Sequence, residues 1–168
     1  MAWTTNRGAV ALALAIGTAV AAGGALAHDD DPTPTGKLRP AVRAAYARHE
    51  HFEQLGKTFK QLSDELKKDS PDPRVVKSAA ATVNTLATGL PTWFPRGSGR
   101  EARPKSEAKP AIWTDTAAFQ AAAANLQVQA SKLNQVAMGG DMGAVKAQFR
   151  STGAACKACH DKFRQEKS

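Results

Sequence analysis

The chain of 168 residues contains only two cysteines, three positions apart at Cys156 and Cys159, with His160 directly after the second. Three chemistries compete for them. An exchange-active dithiol wants its pair at the head of a helix that follows a strand, where the helix N-terminus lowers a thiol pKa. Structural zinc wants four ligands, so it would need a further one from His28, His49 or His51, and Cys159 and His160 point about 100° apart on a helix. Covalent attachment of haem uses the residues as they stand. Two thiols at i and i+3 on one helical face reach the two vinyl groups at one edge of a porphyrin, and the imidazole that follows swings beneath the ring to the iron. Every cysteine is consumed, and this chemistry is the favoured one.

The compartment agrees. Arg7 precedes an apolar run over 9–22, and Ala25-Leu26-Ala27 stands before an acidic, proline-containing stretch. That order is expected of a secretory signal, 1–27, cut after Ala27. The run falls short of the roughly 20 continuous apolar residues that a spanning helix needs. No membrane insertion is expected after cleavage, and the periplasm is the expected destination. The formal net charge is +8, and loss of Arg7 alone lowers it to +7, because every acid lies beyond residue 27. Basicity of this size raises nucleic acid as a partner. An exported protein meets little of it, and the basic residues lack interleaved aromatics. The charge is read as a solvated surface that favours acidic redox partners or an anionic membrane face.

The elements that must position the motif are helices. Val42, Ala45, His49, Phe52, Gly56 and Phe59 recur at spacings of three and four, predicting a first helix over 42–68. Asp69-Ser70-Pro71-Asp72-Pro73 stops it and caps the next, whose stripe is Val76, Ala80, Val83, Ala87 and Leu90. A long irregular stretch, 91–110, follows; a loop of this length in a small domain is usually functional or mobile. Thr114 or Asp115 caps a third helix with Phe119, Ala122, Leu126, Ala130, Leu133 and Ala137 on one face. Gly139-Gly140 ends it and Asp141 begins the fourth, with Val145, Phe149, Thr152, Cys156, Cys159 or His160, and Phe163 in line. No stretch alternates long enough to be a strand. The expected fold is all-α, an antiparallel four-helix bundle over 28–168, with haem attached near the C-terminus of the last helix.

With attachment at that end, the sequence resembles the cytochrome c prime family, the class II cytochromes c. The resemblance spans 42–164. It is carried by "RHEHF" (48–52), "LPTWFPRGS" (90–98), "KPAIW" (109–113) and "CKACHDKFR" (156–164). It implies a left-handed bundle, one covalent haem c per chain between the helices, His160 as proximal iron ligand, a frequent homodimer, and gas binding or electron transfer. It further implies that the residue four after Arg48 faces the distal side of the iron. A methionine there ligates; here it is Phe52, which has no lone pair and can only crowd the site. Arg48 and His49 are implied beside the haem propionates, Ser98 and Gly99 where the loop meets the haem, and Arg164 beside the proximal histidine, placed either to hydrogen-bond a gas that has displaced that ligand or to adjust the histidine's environment. His49 shares a helical face with Phe52 and is the one residue there able to close a bis-histidine site. His51 is expected at the surface, and Trp113 and Phe163 in packing.

The expected function is a periplasmic haem c protein with five-coordinate high-spin iron that binds nitric oxide and carbon monoxide, small diatomic gases, and that has the option of a redox partner protein. Its rival is a low-spin six-coordinate electron carrier. With no distal acid–base pair, peroxidase-like chemistry is not expected, and the chain is read as a binding protein and not an enzyme.

Overall fold

The computed structural model describes residues 33–165; the expected leader and its cut lie outside the described residues. Five α-helices follow in order: α1 (Pro40–Leu66), α2 (Pro73–Gly89), α3 (Ala111–Thr114), α4 (Thr116–Gly139) and α5 (Met142–Phe163), with a 3-10 turn at Leu90–Trp93. The long four, α1, α2, α4 and α5, form the antiparallel bundle, and among the described residues no strand forms. No described helix is long and apolar enough to cross a membrane.

Local chemistry sets the ends. Asp72 accepts from the Arg74 amide at 2.8 Å with Pro73 at the first helical position, so α2 begins where two orphan donors are removed. Glu65, buried near the end of α1, accepts from the Asp72 amide at 2.7 Å and from Lys68 Nζ at 2.7 Å, and so ties the first corner. Asp115 caps α4 through the Ala118 amide at 3.3 Å. Gly140 leaves α4 with φ +82°, a conformation that glycine adopts without steric cost. Asp141 then caps α5 through the amides of Gly143 and Ala144 at 2.9 and 3.1 Å.

The core runs between α2, α4 and α5, centred on Val76, Val83, Leu133 and Val145, all essentially inaccessible, with Leu62 of α1 against them. The expected stripe of α2 holds along its length. That of α1 is displaced. Gly56 is exposed and His49 only half-buried, whereas Arg48, Leu55 and Leu62 are buried in line with Ala45 and Leu66. The displacement arises because a charged residue, Arg48, occupies a core position, which a hydrophobic pattern reads as a gap. The 91–110 stretch is also more ordered than a free loop: the 3-10 turn Leu90–Trp93 opens it, α3 follows directly after it, and it buries Ser98, Gly99, Ala102, Arg103 and Ser106.

Helices α1 and α2, α2 and α4, and α4 and α5 pack along their lengths, whereas α1 and α5 are the least packed of the adjacent pairs. They touch through Phe59 and Phe149, stacked with centroids 4.2 Å apart and planes 16° apart. The seam between α1 and α5 is therefore the loosely closed side of the bundle, and α5 carries Cys156, Cys159 and His160.

Candidate functional site

Cys156 and Cys159 sit in the last two turns of α5, half-buried against the core, both as free thiols. Burial pushes the Cys156 thiol up to about 11, with Cys159 adding to the shift, and burial raises Cys159 too. This is the reverse of an exchange-active pair, in which a helix N-terminus depresses a thiol pKa. Nor is there a zinc cage: among the described residues no three His, Cys, Asp or Glu side chains gather as a metal would need. Attachment through two thioethers is the remaining chemistry, and it requires no standing thiolate.

His160 is exposed, yet the protein around it lowers its pKa, chiefly by desolvation and then through Arg164, while Glu107 and Asp161 pull the other way. That shift favours the neutral imidazole, whose lone pair is the one a metal takes. Phe52, Phe59, Phe149, Cys156 and Cys159 are all partly buried side chains bordering the core. Apolar walls, two thiols one turn apart and a neutral imidazole suit a planar apolar macrocycle better than a hydrated ion.

Arg48 organises the facing loop. Its guanidinium donates from Nη1 to Trp93 O at 3.2 Å and Ser98 Oγ at 2.9 Å, and from Nη2 to Ser98 O at 2.6 Å and Ser106 Oγ at 3.1 Å. It also lies over the Phe94 ring, 4.6 Å from the centroid. Burial, with Arg103 nearby, lowers its pKa to about 10, still charged at neutral pH. Ser98 Oγ in turn donates to Pro95 O at 2.7 Å. Gly99 sits in close quarters: a Cβ there would fall 2.6 Å from Glu101 Oε2, which would have to swing aside, and 3.3 Å from the Trp113 ring.

Phe52 is half-buried, edge-on to Trp93 at 5.3 Å and near Phe94 at 6.1 Å. Rings continue from Phe94 to Phe119 at 4.8 Å and from Phe119 to Phe163 at 5.4 Å, so aromatic packing runs from α1 to the end of α5. Phe163 and Trp113 pack as expected; the Trp113 indole N–H also reaches Phe94 O at 3.1 Å. His51 differs from its expectation as a surface residue: it is half-buried and stacks on Trp93 at 4.6 Å. Its neighbour His49 makes no hydrogen bond among the described residues. Arg164 is the C-cap of α5, already extended at φ −107°, and its Nε donates to Glu107 Oε2 at 2.5 Å.

The structure thus joins Arg48 with Ser98, and Arg164 with the end of the Cys-x-x-Cys-His helix. Sequence reasoning missed Trp93, Phe94, Ser106 and Glu107. Only opposite charge linked Glu107 to Arg164, and it is too common a signal over 57 residues.

An antiparallel helical bundle with a haem-attachment motif at the end of its last helix defines a c-type cytochrome of the bundle class. A family model described as cytochrome C' matches residues 43–164, and the chain belongs to that family. It is 40% identical over 95 residues to the cytochrome c' of Rubrivivax gelatinosus, which covers 56% of this chain and 72% of that one. Among solved structures, the nitric oxide complex of a variant cytochrome c prime from Alcaligenes xylosoxidans aligns with a TM-score of 0.69 and 27% identity. It covers 78% of this chain and all of the other. A cytochrome c' with ligand-controlled dimer dissociation aligns with a TM-score of 0.71 and 25% identity, over 78% of this chain and all of its own. Membership brings covalently bound haem c as the cofactor.

Proposed function

We propose that this chain is a periplasmic, five-coordinate, high-spin haem protein that binds nitric oxide and carbon monoxide under steric control by Phe52. Cys156 and Cys159 hold the haem as thioethers, and His160 is the proximal ligand. When bound, the haem would supply an iron able to take up a diatomic molecule.

The observation that carries this reading is the residue one helical turn beyond Arg48. Phe52 is partly buried against the core from α1, and its ring has nothing to donate to iron. Trp93 and Phe94 back that ring, so its outward movement disturbs aromatic packing. Such a wall disfavours polar or bent ligands and admits small uncharged ones. Arg48 and Ser98 hold the loop that carries the backing rings, and Arg48 and His49 would be the residues that hold the haem propionates. Gly99 keeps that loop close. Arg164 stands beside His160 and adjusts the proximal face. Nitric oxide complexes of a structural relative, and the dimer of another, support gas binding and a homodimer here. Sequestration of nitric oxide, with slow release, is the role this chemistry suits, and a redox partner protein is compatible with it.

The absorption spectrum of the haem-loaded protein tests the reading. A broad, unsplit ferrous visible band that changes on adding carbon monoxide is expected. Sharp, separate α and β bands indifferent to carbon monoxide would overturn it, identify a sixth side-chain ligand such as His49, and make the protein an electron carrier.

A further inference from the structure

The chain beyond His160 is held in an unusual way. Arg164 N still donates to His160 O at 2.9 Å, but the residue then turns extended and pairs with Ala108 as an isolated antiparallel bridge. Lys109 N donates to Phe163 O at 3.0 Å and Gln165 N to Glu107 O at 2.7 Å, so 107–109 and 163–165 form a short backbone zipper. The same segment reaches the other side of the site. Ser106 Oγ, which accepts from Arg48 Nη2 at 3.1 Å, also accepts from Ala108 N at 3.3 Å. Residues 106–109 thus tether α1 to the end of α5.

Within the zipper, one side-chain contact is a partly exposed ion pair with an uncommon geometry. Glu107 takes Arg164 by Nε, the inner nitrogen, and among the described residues the two terminal nitrogens have no hydrogen-bond partner. A carboxylate that pairs with a guanidinium only for stability usually takes two parallel N–H groups. Held by Nε, the group keeps its fork of donors unspent while losing its freedom to swing away. Arg164 follows His160 by one helical turn and its amide donates to the His160 carbonyl at 2.9 Å, so the pair adjoins that residue.

We propose that Glu107 is the positioning residue of the proximal face: it fixes the Arg164 guanidinium beside His160 with its terminal N–H groups directed to an uncharged diatomic ligand or to the displaced imidazole. This deepens, and rests on, the reading of Arg164 given above. Glu107 acts through Arg164 and touches neither iron nor gas. The backbone zipper does not depend on its side chain, so substitution isolates the positioning role.

The experiment uses haem-loaded protein and two readouts. Nitrogen-15 NMR is recorded on the diamagnetic ferrous protein, saturated with carbon monoxide or, if a side chain fills the sixth position, without it. Glu107→Ala should speed solvent exchange of the Arg164 Nε proton while the amides of Lys109 and Gln165 stay protected. Stopped-flow mixing with nitric oxide then follows the Soret shift that reports loss of the His160 bond. Glu107→Ala and Arg164→Ala should move that rate in the same direction by roughly two- to fivefold, the span of a partly exposed ion pair. The double variant should go no further than Arg164→Ala, and Glu107→Gln, which keeps an acceptor, should recover part of the effect. Unchanged Nε exchange in Glu107→Ala would overturn the proposal, as would an effect that adds in full to that of Arg164→Ala. If Arg164→Ala itself left the rate unaltered, the proximal role of Arg164 would fall and Glu107 would have nothing to position. An Arg164 effect without a Glu107 effect would remove this inference alone.

Discussion

Phe52 and Arg48 stand one turn apart on α1 and do opposite things: one withholds a ligand, the other spends four hydrogen bonds on a loop. Phe52→Met offers a thioether where the ring was, and should turn the ferrous spectrum low-spin and lower carbon monoxide affinity at least about tenfold, about 1.4 kcal/mol; an unaltered affinity would remove Phe52 from the distal position. Arg48→Ala leaves buried carbonyls and hydroxyls of the loop without a donor, and should lower the urea unfolding free energy by about 2–4 kcal/mol. Arg48→Lys keeps the charge but not the fork, and should recover less than half of that loss. The raised Cys156 pKa has a consequence for protein made without haem attachment. Its folded thiol stays protonated at neutral pH, so alkylation by iodoacetamide should be slow at pH 7 and climb as pH approaches about 11. A rate already level by pH 8 would contradict the desolvation that causes the shift.

At the scale of elements, the turn between α4 and α5 sets the direction of the helix that carries the site. Gly140 has φ +82° and open space around it, so Gly140→Ala meets no clash and reports backbone strain alone. A loss of about 1 kcal/mol is expected. Asp141→Ala removes the acceptor of two amides at the head of α5 and should cost about 1 kcal/mol as well, read from the thermal midpoint. The helices were legible because their signals are local: Asp72, Asp115 and Asp141 precede their helices, and the stripes of α2 and α4 repeat at the helical period. The stripe of α1 was misread at Arg48, His49 and Gly56, since periodicity weighs a residue by its polarity and not by the partners that compensate it. The 91–110 stretch was unreadable for a related reason. Its order comes from a buried arginine on another helix, 45 to 58 residues away.

At the scale of the whole molecule, packing leaves one side of the bundle loosely closed, the seam between α1 and α5, with the attachment motif on one of its walls. The proposed homodimer should elute at about twice the mature monomer mass in size-exclusion chromatography, and saturation with nitric oxide or carbon monoxide should reveal whether ligand binding shifts that equilibrium; monomer at every concentration and ligand state would remove it. Haem chemistry, an all-helical bundle and family membership were determined by the sequence itself, because Cys156, Cys159 and His160 are contiguous and helix signals act within a few residues. Only the tertiary structure decided which helix pair stays loosely packed, that Arg48 lies in the core bound to Ser98 and Ser106, that Trp93 and Phe94 back Phe52, and that Glu107 holds Arg164. Each of those contacts joins residues far apart in the chain, and they come together only when burial of the apolar faces brings their helices into register.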